Sequence, residues 1–263
     1  DLSTSLLPAI SMANHSCLPN LVMVKVDECF LLRSRRSISA GEEVTISYFD
    51  VMKPLVERIE RCKCWRFVCE CPRCCAERVV MKGRAGEALQ LCLSMVKQVE
   101  QMPMMPGGGD TMGSVVRKVK AASTGRRRLR GRRGAIAQEE AALWVRAGYV
   151  PLFQRRAEET GLREAWRELL EIFEAVAPGS LNHCKLVLTH WRGRTGQLDG
   201  TPAKNQLRAR TKAPLAWLQC VSAHRLRYGR LADSHLLHLL EETRREIDER
   251  REEFCNEPPH RRC

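Results

Sequence analysis

The sequence is poor in aromatic residues and lacks any apolar run that could cross a membrane. Aromatic side chains make up 5% of the 263 residues, although hydrophobic residues as a class make up 44%. A membrane-spanning helix needs about 20 consecutive apolar residues, and no stretch reaches that length. No segment resembles a signal peptide. We therefore expect neither a membrane protein nor a wholly disordered chain, but one large or two ordinary domains.

Acidic residues are scarce relative to basic ones, and one segment has none. The sequence has 44 Lys and Arg residues and 31 Asp and Glu residues, which gives a net charge of +13. Nine of the basic residues lie between Arg117 and Arg133. Such a segment can attract nucleic acid through counterion release, without reading its sequence. We expect at most weak nucleic-acid contact or a nuclear import signal at Arg126–Arg133. A solvated linker with no dedicated partner is the alternative.

Cysteine, by contrast, is abundant and clustered. Six of the 13 cysteines fall within fourteen positions, at Cys62, Cys64, Cys69, Cys71, Cys74 and Cys75. A disulfide framework would suit a short secreted chain, and this chain is neither short nor visibly secreted. Three thiolates on a tight turn, in the pattern Cys69-x-Cys71-x-x-Cys74, favour tetrahedral Zn2+ with a fourth ligand from elsewhere. Cys62 and Cys64 are candidates for the fourth ligand. The alternative is that these cysteines are ordinary reduced, partly buried thiols that bind no metal.

The hydrophobic patterns change along the chain from strands to helices. Short β-prone runs at 21–26, 30–33 and 44–48 predict a small sheet. Helical spacing follows from Val51 to Cys62, and longer helical stripes cover residues 88–99, 162–176 and 236–254. Two stretches rich in Pro, Gly or Arg, 102–113 and 126–134, have too few apolar residues to fold alone.

Three short strings, taken in order, resemble one known family. They are Asn14-His15-Ser16-Cys17-Leu18-Pro19-Asn20, Gly41-Glu42-Glu43-Val44-Thr45-Ile46-Ser47-Tyr48 and Phe67-Val68-Cys69-Glu70-Cys71-Pro72-Arg73-Cys74. Their order and separation resemble the C-terminal half of a SET domain followed by its cysteine-rich post-SET segment. The likeness is greatest to the SET and MYND family of protein lysine methyltransferases, and it covers about residues 8–76.

The resemblance implies ligands for a metal and a methyl donor. Cys17 would complete the zinc site with Cys69, Cys71 and Cys74, so that the metal pins the post-SET segment over the cofactor pocket. Asn14 and His15 would hold S-adenosylmethionine by hydrogen bonds, and Phe67 would lie against its adenine ring. The plain alternatives are a turn asparagine, a core histidine and a core phenylalanine.

Tyr48 is the candidate catalytic residue. Methyl transfer needs a neutral lysine amine aligned with the methyl group, and a preorganised phenol can orient both. Desolvation of the entering lysine lowers the pKa of its amine, so no strong general base is required. Glu42 and Glu43 are then turn and strand-edge residues. The alternative for Tyr48 is an aromatic residue in the core.

We therefore predict an α+β chain with three parts. Residues 1–82 form a partial SET domain with its post-SET segment, 83–134 an irregular basic linker, and 135–263 an all-α, tetratricopeptide-like region. The implied activity is protein lysine N-methylation with S-adenosylmethionine, on a histone or another protein, in the nucleus, the cytoplasm or both. A catalytically inactive SET remnant that acts as a scaffold or a basic nucleic-acid-binding module is the rival.

Some parts that the resemblance calls for are missing from this sequence. The N-terminal half of the SET domain, with its glycine-containing cofactor loop, is not present, nor is the MYND zinc finger. A protein that truly begins at Asp1 would be inactive by itself, whereas a fragment beginning there would come from a plausible enzyme. The sequence leaves both interpretations open.

Overall fold

A computed structural model describes residues 8–26, 29–101, 110, 112–124, 129–131, 134–195, 214–230 and 232–256. Helices account for most of these residues, and the described strands form three small two-stranded sheets. This confirms the predicted α+β class. The chain forms two compact units, residues 1–177 and residues 178–263. None of the described helices is both long and apolar enough to traverse a lipid bilayer.

The first unit begins with a short helix and four strands. These are α1 at Pro8–Ser11, β1 at Asn14–His15, β2 at Leu21–Val26, β3 at Cys29–Ser34 and β4 at Thr45–Ile46. β2 and β3 pair antiparallel, with Leu21 opposite Ser34. Val22 and Val24 are buried on one face of β2, and Met23 and Lys25 are exposed on the other, as alternation in a half-buried strand requires.

A parallel pair of very short strands brings two of the three motifs together. Asn14 lies opposite Thr45 and His15 opposite Ile46, so β1 of the first string runs beside β4 of the second. A small core of Ala13, Leu21 and Ile46 lies beneath this pair, and the partly buried Tyr48 packs against it. The strand predicted over 44–48 is thus shorter than expected, because the chain turns away after Ile46 to place Tyr48 against that core.

Two helices then carry the cysteine-rich segment. They are α2 at Leu55–Cys64 and α3 at Pro72–Val80. α2 buries Leu55, Arg58 and Cys62, which lie on one face of the helix. Val56, which the sequence pattern places on the apolar face, is 42% exposed. The buried face is therefore rotated from the predicted one, and it includes a charged residue.

Part of the segment predicted as an irregular linker is helical. Residues 84–101 form α4 and residues 113–123 form α5, and these helices pack on each other. Buried Leu89, Cys92 and Val96 on α4 explain why this stretch folds: it has an apolar face to cover.

The strands β5 at Leu129–Gly131 and β6 at Gly134–Ile136 pair antiparallel. Residues 102–109, 111, 125–128, 132 and 133 lie outside the described part of the chain, and the predicted three-domain division stays a prediction.

Three further helices complete the first unit and supply a large part of its core. They are α6 at Gln138–Arg146, α7 at Val150–Thr160 and α8 at Arg163–Val176, with a 3-10 turn at Ala147–Tyr149 after α6. Leu152, Leu169 and Ile172 have no exposed surface. α7 ends at Gly161, whose φ of 62° is a left-handed conformation that glycine adopts without strain.

The second unit consists of helices in its described part. They are α9 at Leu181–Thr195, α10 at Pro214–Tyr228 and α11 at Asp233–Asn256, and α9 packs against both others. The ring centroids of Trp191 and Trp217 lie 5.0 Å apart between α9 and α10. On α11, Leu236, Leu240 and Thr243 are buried, as the predicted stripe requires. A tetratricopeptide-like arrangement stays a prediction.

Candidate functional site

The first and second motifs are tied together by the side chain of Asn20. Its Oδ1 accepts a hydrogen bond of 2.8 Å from the Thr45 backbone N–H, and its Nδ2 donates one of 2.8 Å to the Glu43 carbonyl oxygen. Asn20 is 2% exposed. Sequence reasoning quoted this residue as the end of the first string and gave it no role. No local signal marks this role, because the backbone groups that Asn20 bonds lie 23 and 25 residues away in sequence.

His15 connects the second motif to the cysteines. Its Nδ1 accepts a hydrogen bond of 3.1 Å from the Tyr48 backbone N–H. In a neutral imidazole the proton then resides on Nε2, which lies 3.3 Å from the Cys17 Sγ and can donate to it. The His15 ring also stacks on Phe49, with a centroid distance of 4.4 Å. His15 thus contacts both the tyrosine proposed for catalysis and a cysteine proposed for metal binding.

Tyr48 lies in a small group of aromatic rings. Its centroid is 5.0 Å from that of Trp65 and 6.2 Å from that of Phe67. The phenol O–H donates a hydrogen bond of 2.8 Å to the Ala13 carbonyl oxygen, which fixes the ring. Trp65 is 59% exposed and therefore forms the outer wall of the group. The sequence interpretation assigned no role to Trp65.

The residues predicted to hold the cofactor lie close to this aromatic group. The centroids of His15 and Phe67 are 5.5 Å apart, and both side chains are partly buried. Asn14 is exposed, and its Nδ2 donates a hydrogen bond of 2.6 Å to the Glu43 carboxylate. The structure therefore brings Asn14, His15, Tyr48 and Phe67 into one region, and their predicted roles toward a ligand stay predictions.

Four cysteines from two separate motifs meet beside His15. The Sγ atoms of Cys17, Cys69, Cys71 and Cys74 all lie within 4.8 Å of one another. Four thiolates about 2.3 Å from a tetrahedral Zn2+ would be about 3.8 Å apart, which falls within this limit, so the four sulfurs fit such an ion. Among the residues that the structure describes, no other set of three or more Cys, His, Asp or Glu side chains lies close enough together to hold a metal ion. Cys62 and Cys64, the alternative ligands, do not belong to it.

Local helix geometry places two of these thiols. Cys71 is the N-cap residue of α3, and its Sγ accepts a hydrogen bond of 3.4 Å from the Cys74 backbone N–H. Pro72 occupies the first turn, where its missing N–H leaves no partner unsatisfied. The positive end of the helix dipole also favours thiolate at Cys71. The spacing Cys-Pro-Arg-Cys therefore sets two sulfurs at the start of one helix.

Hydrogen bonds among the thiols change their acidity. The pKa of Cys69 lies well below its ordinary value, above all because of a hydrogen bond from Cys17. A hydrogen bond from Cys17 to Cys71 also lowers the pKa of Cys71, to about 6. The pKa of Cys17 is raised, chiefly by its hydrogen bond to Cys69, and the pKa of Cys74 is raised, chiefly by its bond to Cys17. These contacts favour thiolate at Cys69 and Cys71, which is the form that binds Zn2+, and favour the thiol at Cys17 and Cys74.

A buried ion network lies behind the cysteines. Arg58 and Arg73 have no exposed surface, and both form ion pairs with Glu77, which is 3% exposed. The Nη1 atom of Arg58 lies 3.1 Å from the Cys74 Sγ. Sequence reasoning gave none of these residues a role, although Arg73 stands in the third string. The spacing of Arg73 and Glu77, four residues apart on α3, was the available signal for their pair.

An exposed ion pair closes the turn before β4. Arg36 donates to the Glu42 carboxylate, which also accepts a hydrogen bond of 3.2 Å from the Ser39 backbone N–H. These contacts, the first above all, lower the pKa of Glu42 to about 2. Glu42 and Glu43 therefore hold the turn and bond to Arg36 and Asn14, as expected for residues at a strand edge.

Comparison with known proteins supports the resemblance that the motifs indicate. The family model described as the SET domain matches residues 3–49. N-lysine methyltransferase SMYD2-A of Danio rerio is 30% identical over 105 residues, 40% of this chain and 23% of that protein. Histone-lysine N-methyltransferase SMYD3 of Mus musculus is 40% identical over 75 residues, 28% of this chain and 18% of that protein. N-lysine methyltransferase SMYD2 of Homo sapiens is 34% identical over 74 residues, 28% of this chain and 17% of that protein.

These matches confirm the predicted similarity to SET domains and to the SET and MYND family. The chain spans about a fifth of the length of the curated relatives it matches. The activity of those relatives is therefore a starting point for a proposal about this chain.

Proposed function

We propose that this chain is part of an S-adenosylmethionine-dependent protein lysine N-methyltransferase. In this proposal it supplies the C-terminal portion of a SET domain and a zinc-bearing post-SET segment. The single observation that carries the proposal is the meeting of Cys17 with Cys69, Cys71 and Cys74, because it brings the post-SET segment against the first motif. The similarity to lysine methyltransferases over part of the chain supports the same function.

The residues near the aromatic group suit a methyl donor that carries adenosine. Asn14 presents an exposed amide, and the partly buried Phe67 presents a ring on which a flat base can stack. The His15 ring lies between them and the cysteines. S-adenosylmethionine would supply the methyl group and the sulfonium charge when bound. Asn14, His15 and Phe67 would bind and orient it.

Tyr48 is suited to orient the amine that receives the methyl group. Its phenolic proton is committed to the Ala13 carbonyl oxygen, so the oxygen lone pairs remain available to accept a hydrogen bond from an amine N–H. The rings of Trp65 and Phe67 exclude water from one side of the phenol. An amine that enters such a site is desolvated, which lowers its pKa and favours the neutral nucleophile.

The proposed zinc would be structural. Four protein thiolates would leave no open coordination position, so the ion would hold the segment 69–74 to Cys17 and take no part in methyl transfer. His15 would couple the two centres, because it bonds to Cys17 on one side and to the Tyr48 backbone on the other.

Replacing Tyr48 in the full natural protein tests the catalytic proposal. We expect Tyr48→Phe to lower methyl transfer from labelled S-adenosylmethionine to histones or other lysine-bearing proteins by about 100-fold or more. Tyr149→Phe is the matched control, because the Tyr149 hydroxyl also donates to a backbone carbonyl, that of Leu89 at 3.0 Å, but far along the chain. Equal activity of Tyr48→Phe and the control would contradict the role of Tyr48.

An inactive SET remnant that serves as an interaction scaffold is the second candidate. It is favoured by one contact: the Asn14 Nδ2 already donates to the Glu43 carboxylate at 2.6 Å, which uses one of the two amide N–H groups that a cofactor could bind. Calorimetric titration with S-adenosylmethionine separates the two functions. Binding that weakens in Asn14→Ala supports the enzyme, and the absence of binding and methyl transfer in the full natural protein supports the scaffold.

A further inference from the structure

A buried cation lies directly against the cysteine group. Arg58 projects from α2 with no exposed surface, and its Nη1 donates to the Cys74 Sγ at 3.1 Å. Its Nε donates to the Lys53 carbonyl oxygen at 2.9 Å, and its Nη2 donates to the Glu77 carboxylate. The guanidinium is therefore held on three sides, and one of its three partners is a sulfur of the candidate metal site.

The orientation of Arg58 is fixed by a second arginine. Arg73 donates to the other Glu77 oxygen at 2.7 Å and to the Val51 carbonyl oxygen at 2.6 Å. Glu77 is thus shared by two buried arginines, one on each of its carboxylate oxygens. Because a planar guanidinium bonded in several directions cannot rotate, Arg58 presents a fixed N–H group to Cys74.

The charges of this network do not balance without the sulfurs. Arg58 and Arg73 bring two positive charges into the interior, and Glu77 supplies one negative charge. A buried charge without a partner is strongly destabilising, so the second cation needs another anion nearby. A divalent ion with four thiolates carries a net charge of minus two, which supplies that anion and leaves the whole cluster at minus one. Neutral thiols would leave one arginine uncompensated.

We propose that Arg58 is a positioning residue of the metal centre, which neutralises the sulfur ligands and thereby sets the affinity of this chain for Zn2+. This inference rests on the zinc site in the proposed function. Arg58 donates to Cys74 from the α2 side, and His15 faces Cys17 from the β1 side at 3.3 Å. Hydrogen bonds of this kind around a metal commonly change its affinity by 10- to 100-fold.

The competing explanation is that Arg58 only joins two helices. The Arg58–Glu77 ion pair connects α2 to α3, and losing it would loosen the segment that bears the cysteines. The two explanations differ in what replacement of the whole charge network does. If the ion pairs alone matter, replacing Arg58, Arg73 and Glu77 together by apolar side chains restores the site, because such replacements of buried ion networks are commonly neutral or stabilising. If the contact with sulfur matters, zinc affinity stays low.

The experiment measures zinc affinity of the full chain by competition with a chromophoric chelator. Arg58→Met replaces the cation with a side chain of similar length, and Arg61→Met is the matched control on the exposed face of α2. We expect Arg58→Met to bind Zn2+ 10- to 100-fold more weakly than the wild-type chain, and Arg61→Met to bind equally well. The Co2+ form of each protein reports through its thiolate charge-transfer bands whether four sulfurs still bind the ion.

A triple variant, Arg58→Met with Arg73→Met and Glu77→Met, separates the two explanations because it leaves no buried charge of this network without a partner, and it remains informative if the single variant fails to fold. Weak zinc binding by a folded triple variant supports the proposal. Wild-type affinity in the triple variant, or in Arg58→Met itself, overturns it while leaving the zinc site intact. A wild-type chain that binds no Zn2+ or Co2+ overturns both this inference and the zinc site of the proposed function. Loss of methyl transfer with normal zinc affinity contradicts only the proposed catalytic activity.

Discussion

At the scale of single residues, Asn20 shows how one buried amide can hold two motifs together. Its side chain satisfies the Thr45 N–H and the Glu43 carbonyl, both of which belong to the turn and strand that precede Tyr48. A backbone group buried without a partner costs about 1–3 kcal/mol. Asn20 therefore stabilises the geometry on which the aromatic group depends, without being part of that group.

We expect Asn20→Ala to lower the free energy of unfolding by about 1–3 kcal/mol, because the partly buried Thr45 N–H loses its partner while water can replace the bond to the Glu43 carbonyl oxygen. Chemical denaturation of the variant and of the wild-type chain measures the change. Asn182→Ala, at an exposed position on α9, is the control and should have little effect. An Asn20→Ala variant as stable as the control would contradict the bridging role of the amide.

Glu42 gives the chain a pH-dependent contact in the same region. Its pKa in the folded protein is about 2, mainly because Arg36 donates to its carboxylate. The pKa in the unfolded chain is about 4.3, so the unfolded state binds more protons between these values. The stability from this contact is complete above about pH 4.3 and is lost as the pH falls through about 2.

We expect Arg36→Gln to raise the pKa of Glu42 toward its ordinary value, as followed by the carboxyl carbon shift in a pH titration by NMR. The stability difference between variant and wild type should shrink as the pH falls below about 4. Lys63→Gln removes a pair with Glu60 in which both side chains are more than half exposed, and it should leave the titration of Glu42 unchanged. A low pKa of Glu42 in Arg36→Gln would assign the shift to the Ser39 backbone instead.

At the scale of elements, the sequence predicted the short strands and the long amphipathic helices well. The run 21–26 is β2 as predicted, and the stripe over 162–176 is α8 at Arg163–Val176. Periodicity succeeded there because local apolar spacing and tertiary burial agree. It failed on α2, where Arg58 replaces an apolar residue on the buried face, since no local pattern shows that a cation has Glu77 and cysteine partners.

The candidate site likewise contains some residues that local sequence spacing predicts and others that only the fold brings together. Cys69, Cys71 and Cys74 could be grouped from spacing alone, because they lie within one turn and the start of α3. Cys17 lies far away in sequence, and only the resemblance connected it to the others. Arg58 and Asn20 were missed because their roles depend on partners brought close by the fold, at separations of 16 and 25 residues.

We expect Cys17→Ser to weaken zinc binding by about 100-fold, because the ion loses one of four ligands that together provide its binding energy. Cys64→Ser is the control, since Cys64 is an exposed thiol close to the cluster in sequence and outside it in space. Metal content after purification and chelator competition measure both variants. Loss of zinc in Cys64→Ser with full binding in Cys17→Ser would assign the fourth position to the competing cysteine.

At the scale of the whole molecule, the charge of +13 is concentrated and not spread evenly. Six arginines in the segment 126–133 account for nearly half of the excess. Most of this segment lies outside the described residues, and no aromatic residue is interleaved with the arginines. Base stacking is therefore not expected, and any binding to nucleic acid should be electrostatic and independent of sequence.

We expect replacement of these six arginines by glutamine to abolish most binding of the chain to duplex DNA at low salt. If all six contact phosphates, the dependence of log affinity on log salt should become shallower by about 5, because each released counterion contributes about 0.9. Titrations of labelled DNA at several salt concentrations measure this slope. Replacement of three exposed basic residues elsewhere, Arg61, Lys63 and Arg66, removes half as much charge and shows how far net charge alone changes the slope. An unchanged slope would mean that the basic segment is a solvated linker, and zinc binding and methyl transfer should be unaffected in either case.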